Sequence, residues 1–274
     1  MLAAANKDAA ALRDCLRGGV AGLSGVPILS GAAFAEAVEA QPPFGRFALA
    51  AEDLIRAGLA TAAVPRPTPI AWSRADLDRE AALGARLLAR AGLRARSRTS
   101  DTLDGGLVAP GTLAVSDALE ALDALALPVG PITGDAALKR ATEVWEIVHP
   151  EAILCDPASL RFLRDASGYP RPRAYVVLLT PDDAAGLAAP PADDVFRILS
   201  LPQVNTWIAG ECATHDGLHL SDDAVLAEVV DSRLVLSPRQ RTIAPLRYDS
   251  GLTATIDTAP CACGEKSPRL RFGN

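Results

Sequence analysis

The chain has 274 residues, 49% of them hydrophobic and 22% charged, enough apolar material for one large core or two modest ones. A formal net charge of −6, with no block of Lys or Arg, argues against nucleic acid or an anionic membrane as the main partner. No run approaches the roughly 18 uninterrupted apolar residues of a transmembrane helix. Lys7, Asp8, Arg13 and Asp14 interrupt the alanine-rich start before a signal-peptide core can form. The five cysteines, odd in number and with three in one segment, suit a reducing compartment and metal binding better than a disulfide framework. The expected location is cytoplasmic.

In chain order, residues 1–22 read as an amphipathic helix carrying Leu2, Leu12, Cys15, Leu16 and Val20 on one face and ended by a glycine cluster. An extended entry over 25–30 leads to a short helix over 32–40, stopped by Pro42-Pro43-Phe44-Gly45. Ser73 and Asp76 form a capping-box pair at the start of a helix that reaches Gly92, where a left-handed cap is expected. Apolar runs at 125–129, 152–154 and 175–179 read as buried strands, separated by helical patterns such as the one holding Trp145 to Val148. From about residue 204 the texture becomes short strands, at 233–236, 243–248 and 252–256. The fold class is therefore α/β, with an α/β part over about 1–200 and a mostly β part over about 201–274, in one unit without an internal linker.

The segment from Glu211 to Gly264 carries the clearest chemistry. Cys212 and His219 are separated by six residues, and Cys261 and Cys263 by one, so two chelating pairs can meet as a tetrahedral Cys3His set for zinc. Such a closed, soft set is structural and leaves no position open for catalysis. The competing reading makes the cysteines small buried side chains and the histidine a satisfied surface group. Elsewhere, Cys155 with His149 and His215 with Asp216 are weak nucleophile or acid/base pairs, and nothing in their spacing aligns them. The Pro238 to Arg241 segment reads as a solvated turn. The glycines at 105–106 and 130–134 lack phosphate-loop spacing, and Trp145, Trp207 and Tyr248 read as core.

Several segments, taken together and in order, resemble the large N-terminal domain of the phenylacetate-CoA ligase family of adenylate-forming enzymes. They are Pro43-Phe44-Gly45, Pro67-Thr68-Pro69-Ile70, Ser73 to Asp76, Ala85-Arg86, Leu125 to Val129, and Ala152-Ile153-Leu154 with Pro157-Ala158-Ser159. Closest are Glu211-Cys212, Gly217-Leu218-His219, Arg247-Tyr248, Gly251, Pro260 to Gly264 and Pro268-Arg269. The likeness covers about residues 25–274, and all four candidate zinc ligands fall where it is closest.

The resemblance also marks what is altered. Where the family has a glycine-rich SGTTGxP phosphate loop, this chain reads Thr61-Ala62-Ala63-Val64-Pro65-Arg66-Pro67, without glycine. The stretch matching YGxTE is Ile198 to Gln203, with neither tyrosine nor glutamate, and the ribose-binding aspartate of RYxTGD is replaced by Leu252, with Asp249 nearby. The sequence stops at Asn274, about where the family reaches its C-terminal lid, so the lid is expected to be absent. The resemblance therefore implies a degenerate ligase relative that does not adenylate: a zinc-stabilised binding or partner subunit, working with a protein partner or as a homodimer. An acyl or CoA-ester ligand fits it. ATP and magnesium are not expected as cofactors, and no catalytic residue is assigned. The alternative is an enzyme, either a ligase completed by a separate partner or an ATP-independent acyl-transfer catalyst.

Overall fold

The computed structural model of the chain describes residues 18–48, 51–106, 108–189 and 192–273. The predicted helix over 1–22, with Cys15, falls mostly outside them; its described end, Gly19–Gly22, is a single helical turn.

Ser30 sits in extended backbone and its hydroxyl accepts from the Ala33 amide at 3.2 Å, which starts helix α1 (Gly31–Ala40) and buries Phe34, Ala35 and Val38. A hairpin follows, β1 (Leu54–Ala60) against β2 (Thr68–Ser73). The next helix, α2 (Arg74–Arg90), begins with the capping box expected from its sequence: Ser73 Oγ accepts from the Asp76 amide at 3.2 Å and the Asp76 carboxylate accepts from the Ser73 amide at 3.0 Å. Gly92 takes a φ of +93° just past its end.

Strand β3 (Arg98–Asp101) opens the main sheet. The two-residue β4 (Val108–Ala109) instead joins β1 in parallel, completing a three-stranded sheet of order β2-β1-β4. Helix α3 (Thr112–Ala121), strand β5 (Leu125–Pro128), helix α4 (Asp135–Val148), strand β6 (Ala152–Cys155), helix α5 (Pro157–Asp165), β7 (Ala174–Leu179) and β8 (Val195–Leu201) then alternate. The strands among these pair in parallel. Antiparallel strands β9 (Asn205–Gly210), β10 (Leu218–Leu220), β11 (Val225–Val230), β12 (Arg233–Pro238), β13 (Tyr248–Asp257) and β14 (Arg269–Phe272) extend it to eleven, in the order β11-β12-β13-β14-β10-β9-β8-β7-β6-β3-β5. The β-rich part thus continues the sheet of the α/β part. Strand alternation divides the core: Tyr175, Val177 and Leu179 enter one apolar cluster with Trp145, while Val176 and Leu178 enter a second with Trp207 and Leu87.

Three expectations are corrected. The run at 125–129 is a strand but lies at the sheet's edge, with Leu125 49% exposed. Residues 243–248 do not form a strand, since Pro245 offers no amide and Arg247 adopts a φ of +49°; Ile243 makes only an isolated bridge to Ala48, and the strand starts at Tyr248. The Pro238 to Arg241 segment is not a solvated turn throughout, because Arg241 is buried and paired with Glu80. Among the described residues, no helix is long and apolar enough to cross a membrane.

Candidate metal centre and apolar cavity

The antiparallel order β13-β14-β10-β9 carries the four candidate ligands to one end of the sheet. Cys212 follows β9, His219 lies within β10 opposite Gly210 and Arg269, and Cys261 and Cys263 occupy the loop from β13 to β14. Their ligating atoms all lie within 4.8 Å of one another. Cys212 Sγ is 3.8 Å from Cys261 Sγ, and Cys263 Sγ is 3.4 Å from His219 Nε2. Zinc bonds of about 2.3 Å to sulfur and 2.0–2.1 Å to nitrogen, set at the tetrahedral angle, give edges of about 3.8 and 3.5 Å. The residues therefore fit such an ion.

The surroundings suit the same geometry. His219 Nδ1 lies 3.3 Å from the Ser267 carbonyl, an arrangement in which Nδ1–H donates to the carbonyl and leaves the Nε2 lone pair facing the sulfurs. The Thr214 hydroxyl lies 3.0 Å from Cys212 Sγ and 3.3 Å from Cys261 Sγ. Burial raises the Cys261 thiol, but hydrogen bonds from Thr214, Cys263 and His219 outweigh it and hold it at about 6. Burial, together with the adjacent thiols of Cys261 and Cys212, pushes Cys263 up to about 11; thiols sharing one site do not ionise independently. Buried Arg197 braces the approach, with Nε 2.9 Å from Glu211 Oε1, and Arg269 is paired with Asp216 and Asp257 on the other side. Thr214 and Ser267 carry no signal in the sequence, as their role depends on where the loops return.

The loop over 61–67 is fastened to the body of the fold. Gln203 Nε2 donates to the Ala62 carbonyl at 3.0 Å, Tyr248 Oη donates to the Ala63 carbonyl at 2.6 Å, and the Ala63 amide donates to Asp182 Oδ1 at 3.2 Å. Burial pushes the Tyr248 hydroxyl well above its ordinary value, which keeps it a neutral donor. Arg66 pairs with Glu39 at the surface. Asp249 is bound in a bidentate pair by Arg233, with Nη2 3.0 Å from Oδ1 and 2.8 Å from Oδ2, and Leu252 is buried.

An apolar cavity of about 50 Å³ lies between α2, α3 and the small sheet, lined among others by Trp72, Leu77, Ala81, Val108, Leu113 and Trp207. Glu80 also faces it, but its oxygens are engaged, Oε1 by Arg241 and Oε2 by Thr206 Oγ1 at 2.5 Å. The other sequence candidates do not assemble. Cys155 is fully buried at the end of β6, its thiol pushed up by burial, while His149 precedes that strand. His215 rests on the Phe196 ring at 4.8 Å with Nδ1 3.5 Å from Glu211, and Asp216 is held by Arg269 and Arg271.

A comparison with protein-family profiles finds no match. The chain is 25% identical over 256 aligned residues to the phenylacetate-coenzyme A ligase of Thermus thermophilus, covering 83% of this chain and 56% of that protein. Its fold is similar to that of 2-hydroxyisobutyryl-CoA ligase, solved in an open conformation with 2-HIB-AMP and CoA, at a TM-score of 0.78 and 21% identity over 90% of this chain and 63% of the other. The amide bond synthetase McbA of Marinactinospora thermotolerans is more distant, at a TM-score of 0.52 and 12% identity over 82% and 49% of the two chains. The long mixed sheet with its parallel and antiparallel halves is thus the fold of adenylate-forming enzymes. In sequence the chain is similar to a phenylacetate-CoA ligase, of whose length it spans 56%.

Proposed function

We propose that this chain is a non-adenylating relative of the phenylacetate-CoA ligases: a cytoplasmic, zinc-stabilised binding subunit for an acyl or CoA-ester ligand, acting with a protein partner or as a homodimer. One ligase-like domain is read over 1–274, with the α/β part to about residue 200 and the zinc-stapled β-rich part beyond it. Zinc is assigned to Cys212, His219, Cys261 and Cys263. The supporting geometry is the near-tetrahedral spacing of donors that join three separate stretches of chain.

The observation that carries the functional reading is the state of the loop over 61–67. A phosphate cradle needs free amides and a backbone able to wrap the anion. Here the Ala63 amide already donates to Asp182, the Ala62 and Ala63 carbonyls are tied to Gln203 and Tyr248, and Pro65 and Pro67 offer no amide. Asp249, the carboxylate that the sequence places near Leu252, is held by Arg233. The apolar cavity remains available for an acyl group, and the exposed Val108 and Leu113 at its edge supply apolar surface for a partner.

The test is ATP–pyrophosphate exchange with a panel of aryl and alkyl acids, alongside calorimetric titration with MgATP. The expected result is no exchange and no nucleotide binding. Robust exchange by the isolated chain would overturn the proposal, and exchange that appears only with a second chain would favour a ligase completed by a partner.

A further inference from the structure

The cysteines of the described residues differ sharply in access. Cys155 is 0% exposed, Cys212 2% and Cys261 6%, whereas Cys263 alone among them is exposed. Cys263 borders an open hollow between the end of α2 and the loop from β13 to β14, lined also by Arg86, Arg90 and Lys266. Arg86 and Arg90 are paired there with Asp223 and Glu265, while Lys266 makes no ion pair among the described residues. A cysteine that ligates zinc is held as its thiolate, and oxidation of cysteine follows thiolate character and exposure. Cys263 is therefore the donor of this cluster that an oxidant meets first.

A second thiol stands ready to react with it. Cys212 reaches the cluster from the end of β9, and its sulfur lies within 4.8 Å of that of Cys263. Both arms are held by contacts that need no metal. Glu265 Oε2 accepts from Arg90 Nη2 at 2.9 Å, its Oε1 accepts from the Ser267 amide at 3.3 Å, and the Gly264 amide donates to the Cys261 carbonyl at 3.0 Å. Glu211, next to Cys212, is bound by Arg197. The sulfurs thus stay near one another when an ion leaves. Cys261 shares a tight turn with Cys263 and would have to bridge across a single residue, so Cys212, arriving from another strand, is the better-placed partner for disulfide geometry.

We propose that Cys263 is an oxidative modification site: a hydroperoxide oxidises it, Cys212 resolves the product as a disulfide, and the zinc is released. With hydrogen peroxide, the Cys263 thiolate attacks one oxygen, an S–O bond forms, the O–O bond breaks and hydroxide leaves. The Cys212 thiolate then attacks the sulfenic sulfur, an S–S bond forms, the S–O bond breaks and a second hydroxide leaves. Two electrons pass from the sulfurs to the peroxide, and protons from solvent turn the hydroxides into water. His219 and Cys261 alone do not close a tetrahedral zinc site, so the ion departs. A dithiol that reduces the bridge by thiol–disulfide exchange restores the ligands. The inference rests on the assignment of zinc to these four residues, and goes beyond it by giving one ligand a second chemistry.

The experiment treats the full chain, as purified, with hydrogen peroxide. Zinc release is read with a chromogenic chelator, free thiols by titration, and the modified cysteines by peptide mass mapping, with a sulfenic-acid trap in a parallel sample. The expected result is trapping at Cys263 before any other cysteine, then a Cys212–Cys263 bridge, loss of two thiols and release of the bound zinc. Dithiothreitol with added zinc should reverse all of these. Cys155 is the internal control, because its complete burial lets an oxidant reach it only when the core opens. Modification of Cys155 together with Cys263 would assign the release to unfolding and overturn the proposal. Retention of zinc with every thiol intact, or a bridge that omits Cys263, would overturn the modification site while leaving the zinc assignment standing. A chain purified without zinc would overturn that assignment instead, and the trap and the bridge, read on the metal-free chain, would still decide whether Cys263 is the residue oxidised.

Discussion

Cys212 and Cys261 lie 49 positions apart in sequence, yet their sulfurs stand 3.8 Å apart, too far for a disulfide of about 2.0 Å and at the edge length of a zinc tetrahedron. Protein purified without added metal is therefore expected to contain one zinc per chain by elemental analysis. Cys261→Ala and Cys263→Ala should each remove most of it, and chelation should lower the thermal midpoint. Retention of metal by both variants would mean that the ion sits elsewhere.

Asp76 joins two parts of the fold, capping α2 through Ser73 while accepting from the Thr242 amide at 3.1 Å. Burial would raise its carboxyl, but the Ser73 and Thr242 hydrogen bonds and the Arg241 charge outweigh burial and hold it below the ordinary carboxylate value. A depressed pKa stabilises the fold at pH above the unfolded value of about 3.9, and that contribution is lost as the pH falls through this value toward the folded one. Asp76→Asn should cost about 1–2 kcal/mol near neutrality and flatten the stability loss between pH 6 and pH 3. Parallel acid-denaturation slopes for the two proteins would contradict this.

Arg241 and Glu80 form a buried pair, with side chains 3% and 7% exposed, and the guanidinium also stands 5.2 Å over the Trp72 ring. Arg241→Met strands a buried carboxylate and is expected to destabilise by about 3–5 kcal/mol. Adding Glu80→Leu should recover much of that loss, because two apolar groups replace the pair rather than one breaking it. Urea denaturation of the single and double variants separates these outcomes; a mild single substitution would mean that the pair is solvated.

How much of this is legible in the sequence depends on how local each cause is. The Ser73–Asp76 box can be read directly, because both partners lie within one helical turn. The two candidate ligand pairs can be read as pairs, since their spacing suits chelation, but the order β13-β14-β10-β9 that joins them cannot. Arg241 resembles a surface charge because its partner Glu80 is 161 positions away. Leu125 to Pro128 has the composition of a buried strand, and only the full strand order places it at an edge. Residues 243–248 look strand-like by their apolar content, but are held instead through Thr242, whose amide and hydroxyl bond Asp76 and Ser73.

Gly31 tests how firmly the 61–67 loop is seated. A Cβ at this position would fall 1.9 Å from the Ala63 carbonyl oxygen and 3.0 Å from Tyr248 Oη, and the first contact is backbone that cannot swing aside. The Ala63 carbonyl is also the acceptor for Tyr248, so displacing it breaks a buried hydrogen bond as well. Gly31→Ala should destabilise the chain by about 1–3 kcal/mol and increase amide exchange at 61–64. Gly134→Ala is the matched control: its backbone is extended, with a φ of 167°, and an added Cβ meets nothing within 4 Å, so its stability should change by less than about 1 kcal/mol. Equal effects from the two substitutions would show that the loop yields to the methyl group. The loop would then be free to rearrange around an anion, and the case against nucleotide binding would lose its main physical support.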